Sequence, residues 1–385
     1  MNVRRALCAL FLVTLALAGV PAVAQQTPTP SAARHVAIMD GQNGILLYCD
    51  DCNTPVPPAS MSKLMTVLLV AERLQAGALT MDARFRVSER AWRQGAVSDG
   101  SHMFLELGSE VTVRDLLNGV IIVSANDACV VLAEGLSGSE EAFATEMNRR
   151  AQELGLRTAR FRNATGLPDP DHVISTADLA RLARHLMMTS PELYRLYSQR
   201  EFNYNNHRQE NRNPLLGAFE GADGVKTGHT NDSGYGLVGS AILNGERRIV
   251  VFNGARSMAE RRSEALRLMR AAFNDYSARR LFRAGDPVGE AQVRLGSRRA
   301  VPLVAQTDIA VGGTRAILQG LTVQIVYNGP LPSPIREGDA VARLVIEGPG
   351  YETQEFPLAA GRKVGRANWF ARAWEGLRLT LFGPS

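Results

Sequence analysis

The stretch Pro58-Ala-Ser-Met-Ser-Lys63 places a hydroxyl and an amine three residues apart at the predicted start of a helix. Apolar residues recur at helical spacing from Leu64 onwards, and the two prolines before Ala59 cannot continue the helix backwards. Because residues at i and i+3 share one helical face, the Ser60 hydroxyl and the Lys63 amine are expected to meet. The helix N-terminus would also offer backbone N–H groups to a developing anion.

Lysine is rare in this chain. Of its 43 basic residues, only Lys63, Lys226 and Lys363 are lysine, and the others are arginine. Arginine does not lose its proton in a protein, whereas a desolvated lysine can act as a base. Two of the three lysines lie in the short motifs Ser60-x-x-Lys63 and Lys226-Thr227-Gly228. This distribution indicates chemistry that needs an amine rather than a general positive charge.

A third short motif, Ser124-Ala125-Asn126, lies between the two lysine motifs. Each motif alone is weakly specific, because serine and asparagine also cap and break helices and Thr227 is an ordinary strand residue. Together and in this order, they match the set of active-site serine β-lactamases and penicillin-binding proteins, whose middle motif is Ser-Asp-Asn. Ala125 has no side-chain chemistry, so the departure at that position removes no reacting group.

The composition and the first residues indicate an exported protein with more than one domain. The chain has 385 residues and is 45% hydrophobic and 21% charged, as in ordinary globular proteins. Residues 1–24 are predicted to be a secretory signal, with a basic end, an apolar core and the small residues Ala22-Val-Ala24. Removal of its two arginines lowers the net charge from +5 to +3 (5 − 2). No nucleic-acid motif accompanies this modest basic charge, and we expect no nucleic-acid partner.

The cysteines fit an oxidising compartment. Cys49 and Cys52 lie in a polar turn and are expected to form a local disulfide or to remain two free thiols. A redox motif would need a strand–helix context, and a zinc site would need two further ligands. Cys129, in an apolar helix, is predicted to be a buried small residue. The histidines lack metal-ligand spacing, so we expect neither a metal nor another cofactor.

The hydrophobic pattern predicts an α+β chain in three parts. Residues 33–275 are predicted to be a catalytic domain, a helical block beside an antiparallel sheet that both ends of the domain build. Residues 280–362 are rich in glycine, proline and β-branched residues and predict a small all-β domain. Residues 366–385 predict an amphipathic helix with Trp369 and Trp374 among arginines, which favours a membrane interface. The alternative is a helix docked on its own β-domain.

Residues 34–273 resemble the low-molecular-mass penicillin-binding proteins that are serine-type D-alanyl-D-alanine carboxypeptidases (peptidase family S11), with a β-lactamase/transpeptidase-like fold. The matching runs are 57–66, 123–128, 163–167 and 221–230. Residues 301–304 and 334–338 resemble the β-rich C-terminal domain of that family, and the terminal helix resembles its membrane anchor. The resemblance implies a periplasmic protein held peripherally on the inner membrane through residues 366–385.

The resemblance implies acyl transfer on peptidoglycan pentapeptides. Ser60 would attack the carbonyl between two D-alanines and release the terminal one, and water would hydrolyse the resulting ester. A free serine hydroxyl needs a base. Lys63 is the implied base, and Ser124 would relay the proton to the leaving amine. β-Lactams are expected to acylate Ser60 as inhibitors that leave slowly.

The resemblance also implies a set of binding groups. The amide of the substrate would bind Asn126, and its terminal carboxylate would bind the ammonium and hydroxyl of the third motif. The backbone N–H groups of Ser60 and His229 would form an oxyanion hole, with about 3–4 kcal/mol per donor. The implied substrate-binding residues are Asn126, Lys226, Thr227, Gly228 and His229.

Three other functions remain open from the sequence. A class A β-lactamase would need a glutamate in the loop between the second and third motifs, and residues 154–191 contain none. A DD-endopeptidase would use the same residues on peptidoglycan crosslinks. A non-catalytic penicillin-binding scaffold of the envelope could have the same sequence, and an assay is needed to exclude it.

Overall fold

The computed structural model describes residues 33–96 and 100–369, which divide into two compact units at residues 277 and 278. The predicted signal 1–24 and most of the predicted terminal helix 366–385 lie outside the described residues. Within the described ranges, no helix combines the length and the apolar character that crossing a membrane requires.

The first unit contains helices and strands in alternation. Its strands are β1 (Arg34–Asp40), β2 (Leu46–Asp50), β3 (Arg84–Arg86), β4 (Glu110–Thr112), β5 (Glu201–Tyr204), β6 (His207–Glu210), β7 (Ala222–Thr230), β8 (Gly234–Leu243) and β9 (Glu246–Ala255). Its helices are α1 (Lys63–Gln75), α2 (Glu89–Ala96), α3 (Val113–Asn118), α4 (Asn126–Ser137), α5 (Glu140–Glu153), α6 (Thr176–Thr189), α7 (Pro191–Tyr194) and α8 (Met258–Asn274).

One five-stranded antiparallel sheet joins the two ends of the first unit. The strand order is β2-β1-β9-β8-β7, so β1 from the start of the unit pairs with β9 from its end. This arrangement confirms the predicted sheet built from both ends beside a helical block. The sequence pattern predicts a strand at residues 225–228, and the observed strand is longer, because β7 extends from Ala222 to Thr230 and includes the whole third motif.

Helix α1 lies at the centre of the helical block. Each of its residues from Lys63 to Ala71 is buried, as expected for a helix that is apolar on nearly every side. The chain does not enter this helix directly, since Ala59–Ser62 form a single 3₁₀ turn first. The helix predicted to begin near Ser60 therefore has Ser60 in that turn and Lys63 as its first α-helical residue.

The sequence pattern predicts a helix from 113 to 123 that is interrupted at the second motif, and in the structure this helix has two parts. After α3, residues Gly119–Val123 form one turn of π-helix, which ends at Ser124 in the left-handed conformation with φ of +65°. The break predicted at the second motif is therefore present. The β3–β4 pair, whose strands lie on either side of α2 in the sequence, and the β5–β6 hairpin were not predicted, because their strands are only three or four residues long.

Cys49 and Cys52 form a disulfide, with Cα atoms 5.1 Å apart. Of the two arrangements that the sequence left open, the structure has the bridged one. The backbone oxygen of Cys52 also accepts a hydrogen bond from the N–H of Ala177 at 3.0 Å. The bridge thus closes the turn between β2 and the segment that leads to Ser60. Cys129 is a buried free thiol in α4, as predicted.

The second unit is a β-domain with one short helix. Its elements are β10 (Tyr276–Phe282), β11 (Pro287–Arg294), β12 (Ala300–Ala305), β13 (Ile309–Thr314), α9 (Arg315–Gln319), β14 (Thr322–Val326), β15 (Leu331–Pro332), β16 (Ala340–Gly348) and β17 (Tyr351–Ala360). Six strands form a sheet in the order β14-β16-β17-β12-β11-β15, and β10 pairs with β13. The all-β character predicted for this part is confirmed, while β10, β13, β15 and α9 were not predicted.

Candidate active site

The Lys63 amine lies against the Ser60 hydroxyl, with 2.9 Å between Nζ and Oγ. The same Nζ donates to Oδ1 of Asn126 at 2.7 Å and to the backbone oxygen of Thr165. A charged amine has three donors, and these contacts use all three. A neutral amine would keep two donated bonds, to Asn126 and Thr165, and direct its lone pair at the Ser60 hydroxyl. The geometry is therefore that of a base aimed at one proton.

Burial is the main cause that lowers the pKa of Lys63 to about 8. The positive charge of Arg212 contributes to the same lowering. The Cys129 thiol and the Asp127 carboxylate act in the opposite direction. With a pKa near 8, about one-tenth of the molecules have a neutral Lys63 at pH 7, several hundred times more than for an ordinary lysine. This shift makes the amine a usable base at neutral pH.

The loop at 163–167 holds the turn that contains Ser60. Oδ1 of Asn163 accepts hydrogen bonds from the N–H groups of Thr165 and Gly166, at 3.1 and 2.7 Å, and this tight turn directs the Thr165 carbonyl at Lys63. Gly166 has φ of +78°, and a Cβ there would lie 2.0 Å from the carbonyl oxygen of Ala59. Only glycine fits at that position, so the loop packs directly on the residue before the serine.

The second motif contributes one contact and one unsatisfied hydroxyl. Asn126 is the first residue of α4, and its oxygen accepts from Lys63, which leaves its NH₂ end for a substrate carbonyl. Ser124 is buried, with 4% of its surface exposed, and its Oγ has no hydrogen-bond partner within the residues that the structure describes. A buried hydroxyl without a partner is unfavourable, so Ser124 is suited to exchange a proton with a bound molecule.

The third motif lies on β7, where Lys226 and Thr227 are both buried. Burial lowers the pKa of Lys226 well below the usual value, and the positive charge of Lys63 is the next cause. A Cβ on Gly228 would lie 2.7 Å from the Pro58 carbonyl oxygen, so this glycine lets β7 approach the Ser60 turn. The His229 ring is exposed and stacks on Tyr235 at 3.8 Å between centroids. That position agrees with a role for its backbone only.

Two arginines near the lysines were not predicted. Arg261, on α8, is 7% exposed and its buried Nε has no hydrogen-bond partner in the described part of the chain. Arg212 donates to the Ser101 hydroxyl and acts electrostatically on Lys63, Lys226 and Arg261. Burial is the main cause that lowers the pKa of Arg261. Neither arginine belongs to a short motif, so nothing in the sequence distinguished them from the other arginines.

Four basic side chains interact electrostatically here, of which Lys63, Lys226 and Arg261 are buried and Arg212 is exposed. None of the ion pairs found within residues 33–96 and 100–369 includes Lys63, Lys226, Arg212 or Arg261. Buried positive charge without a paired carboxylate is costly until an anion binds. In the same described residues, no three His, Cys, Asp or Glu side chains are grouped as metal ligands. The site therefore combines a hydroxyl in contact with an amine of lowered pKa and, beside them, positive charge that suits a carboxylate.

The chain matches known proteins over both units. Residues 22–257 match the family model described as D-alanyl-D-alanine carboxypeptidase (peptidase S11), and residues 276–366 match the model of the penicillin-binding protein 5 C-terminal domain. The D-alanyl-D-alanine carboxypeptidase DacA of Haemophilus influenzae is 32% identical over 364 residues, which cover 93% of this chain and 91% of that protein.

Solved structures show the same similarity. Penicillin-binding protein 5 from Haemophilus influenzae has a TM-score of 0.72 and 32% identity, with 89% of this chain and all of that chain (100%) covered. Penicillin-binding protein D2 from Listeria monocytogenes, solved in an ampicillin-bound form, has a TM-score of 0.57 and 30% identity. That match covers 63% of this chain and 98% of the Listeria chain.

Proposed function

The chain belongs to the D-alanyl-D-alanine carboxypeptidase family of serine peptidases, and from this premise we propose that Ser60, Lys63 and Ser124 perform its chemistry. The protein is a serine-type D-Ala-D-Ala carboxypeptidase of the penicillin-binding class, which acts on peptidoglycan peptides and binds β-lactams. One observation supports the residue assignment most strongly. It is the buried Lys63 amine, which lies 2.9 Å from the Ser60 hydroxyl and has no carboxylate partner among the described ion pairs.

In the acylation step, neutral Lys63 takes the hydroxyl proton of Ser60 while Oγ attacks the carbonyl carbon between the two D-alanines. Negative charge then develops on the carbonyl oxygen. The backbone N–H groups of Ser60 and His229 stabilise it, and the close approach of β7 at Gly228 supports this pairing of the two segments. Each such donor contributes about 3–4 kcal/mol.

Collapse of this intermediate breaks the bond to the terminal D-alanine, whose amine must gain a proton. The proton moves from Lys63 to the amine through the Ser124 hydroxyl. Support comes from the buried Ser124 Oγ, which lacks a partner in the described residues and sits on the left-handed turn before Asn126. Water then attacks the ester and returns the proton to Ser60 by the reverse route.

The terminal carboxylate of the substrate binds among Lys226, Thr227 and Arg261. A carboxylate there restores the protonated form of Lys226, because the pair replaces an unpaired buried charge. Charged Lys63 lowers the pKa of Lys226, and because repulsion between two charges is mutual, a charged Lys226 disfavours protonation of Lys63. Binding of the correct carboxyl-terminal substrate thus favours the neutral base. Gly228 contributes by its lack of a side chain.

The direct test uses a purified protein and a pentapeptide that ends in D-Ala-D-Ala. We expect release of one D-alanine per peptide, with the tetrapeptide as the second product. A matched peptide that ends in L-Ala-L-Ala should release no alanine, because its carboxylate and scissile carbonyl cannot reach both sites together. Cleavage of crosslinked peptides with no D-alanine released from the pentapeptide would instead support the endopeptidase function.

We also propose an exported protein at the periplasmic face of the inner membrane, held by residues 366–385. Support comes from the arginine- and tryptophan-rich sequence of that segment, whose described part ends at an exposed Trp369. Arg366 pairs with Gly296 and the N–H of Ala367 donates to Leu295, so a truncation should spare these residues.

Deletion of residues 370–385 is therefore expected to release the protein from anionic lipid vesicles, as measured by co-sedimentation. The loss of six aromatic or leucine side chains and two arginines removes both apolar and electrostatic attraction. Vesicles of neutral lipid provide the control, and turnover of the pentapeptide should be unchanged. Equal binding of the full and truncated chains would favour a helix docked on the β-domain.

A further inference from the structure

Three aromatic rings from two distant segments stack beside the described site. The Phe104 ring lies on the His207 ring, with centroids 3.7 Å apart and an interplanar angle of 17°. The edge of His102 meets Phe104 at 4.5 Å and 74°. His207 is exposed and Phe104 is 36% exposed, so this aromatic rim faces solvent. None of these rings takes part in the proposed chemistry.

The rim is held in a fixed geometry. Phe104 has φ of +62°, a left-handed conformation that is costly for an aromatic residue and persists only where the surroundings impose it. The Asn205 side chain donates to the Phe104 carbonyl at 2.9 Å, and the Gln209 side chain donates to the His102 carbonyl at 3.0 Å. Strained backbone of this kind concentrates at functional sites.

The β5–β6 hairpin presents His207 at its tip. Its two turn residues, Asn205 and Asn206, have φ of +46° and +61°, which is the pattern of a tight two-residue hairpin turn. Tyr204 pairs directly with His207, so both side chains lie on one face of the hairpin. Arg208 lies on the opposite face, where it forms an ion pair with Glu201.

Hydrogen bonds join the loop that contains Phe104 to the second motif. The N–H of Asn126 donates to the Ser101 carbonyl at 2.7 Å, and the N–H of Met103 donates to the Asp127 carboxylate at 3.1 Å. Phe104 is three residues from Ser101, so at most about 11 Å of chain separates the rim from the Asn126 contact. An extended peptide covers that distance in about three residues.

We propose that Phe104 and His207 form a subsite for the part of the substrate that precedes the D-Ala-D-Ala pair. This inference rests on the proposed function, because it places the scissile bond at Ser60. The ligand is an extended peptide stem, whose methylene side chains pack on the ring faces while its polar groups stay in solvent. The rim thus favours long stems over short acylated dipeptides.

The test compares two substrates, the pentapeptide that ends in D-Ala-D-Ala and an N-acetylated D-Ala-D-Ala dipeptide. We expect Phe104→Ala and His207→Ala each to lower kcat/KM for the pentapeptide about tenfold, which corresponds to about 1.4 kcal/mol. For the dipeptide, kcat/KM should stay within about twofold of the unchanged protein. Arg208→Ala, on the outward face of the same hairpin, should alter neither substrate.

The outcomes distinguish a substrate subsite from a purely structural role of the rim. An equal loss on both substrates would mean that the rim only supports Asn126, and no loss on either would mean that the stem does not touch it; both results overturn the proposal. His207→Ala at the hairpin tip keeps the test valid if Phe104→Ala does not fold. Failure of the proposed function would be seen separately, because the protein without substitutions would then cleave neither substrate.

Discussion

Lys63→Arg is expected to slow acylation of Ser60 by about 10³-fold, although it keeps the positive charge and nearly the same length. The Lys63 amine has a pKa of about 8 because it is buried, and in the proposed mechanism its neutral form takes the Ser60 proton. Arginine does not deprotonate in a protein, so it can supply the charge but not the lone pair. Loss of a general base costs 10²- to 10⁴-fold in typical enzymes. The measurement is the rate of D-alanine release together with the rate of penicillin acylation.

Lys363→Arg is the matched control, because it makes the same chemical change at the exposed lysine outside the motifs. It should leave both rates unchanged. Circular dichroism of the Lys63 variant should match that of the unchanged protein, which separates lost chemistry from lost fold. Turnover by Lys63→Arg at near the normal rate would remove Lys63 from the role of base.

The pH profile of the unchanged protein tests the same assignment without a mutation. The neutral fraction of Lys63 rises as the pH rises, and with a pKa of about 8 it rises tenfold per unit below that value and levels off above it. The acylation rate is expected to follow this curve. An acylation rate that is constant from pH 6 to pH 9 would contradict a base with this pKa.

Ser60→Ala is expected to abolish covalent labelling by fluorescent penicillin and to reduce D-alanine release by about 10⁶-fold, as nucleophile removal does in other serine hydrolases. The alanine variant retains the helix start and the cationic pocket, so it should still bind the peptide. Labelling is measured by fluorescence of the denatured protein after electrophoresis, which detects only a covalent ester.

Ser263→Ala, at an exposed serine on α8, controls for the general effect of a serine deletion. It should label at the normal rate and level. Persistent labelling of Ser60→Ala would place the nucleophile elsewhere, with Ser124 as the next hydroxyl in the site. Peptide mapping of the labelled protein would then identify the residue.

The three motifs predicted which residues to look for, since each is a local pattern of residue types. The contact of Lys63 with Ser60 was also predictable, because i and i+3 positions share a helical face. The Asn126 contact with Lys63 required the fold, which brings α4 against α1. The sequence also could not indicate the Thr165 contact, because a backbone carbonyl has no residue signature.

The fold was predictable where hydrophobic periodicity was long and regular. The pattern predicts helices at 139–154 and 176–188, and α5 and α6 lie within one residue of these bounds. The strands of the central sheet were predicted within one or two residues, except for β7, which begins three residues earlier. Elements that depend on tertiary contacts were missed. The β5–β6 hairpin alternates half-buried and exposed residues over only four positions, and Arg261 acquires its buried environment only when α8 packs beside the sheet. Short-range sequence patterns therefore predict neither the hairpin nor the burial of this arginine.

The contact between Lys63 and the main chain of Thr165 bears on how genetic variation can act at this site. Substitution of Thr165 cannot delete a bond that its peptide oxygen accepts, so serine, which keeps the buried hydroxyl contacts to Asn163 and Leu167, would preserve it. The neighbouring codon has no such latitude, because any methyl group at Gly166 would collide with the carbonyl of Ala59. Antibiotic selection therefore has little room for change beside Ser60 at the first position and almost none at the second.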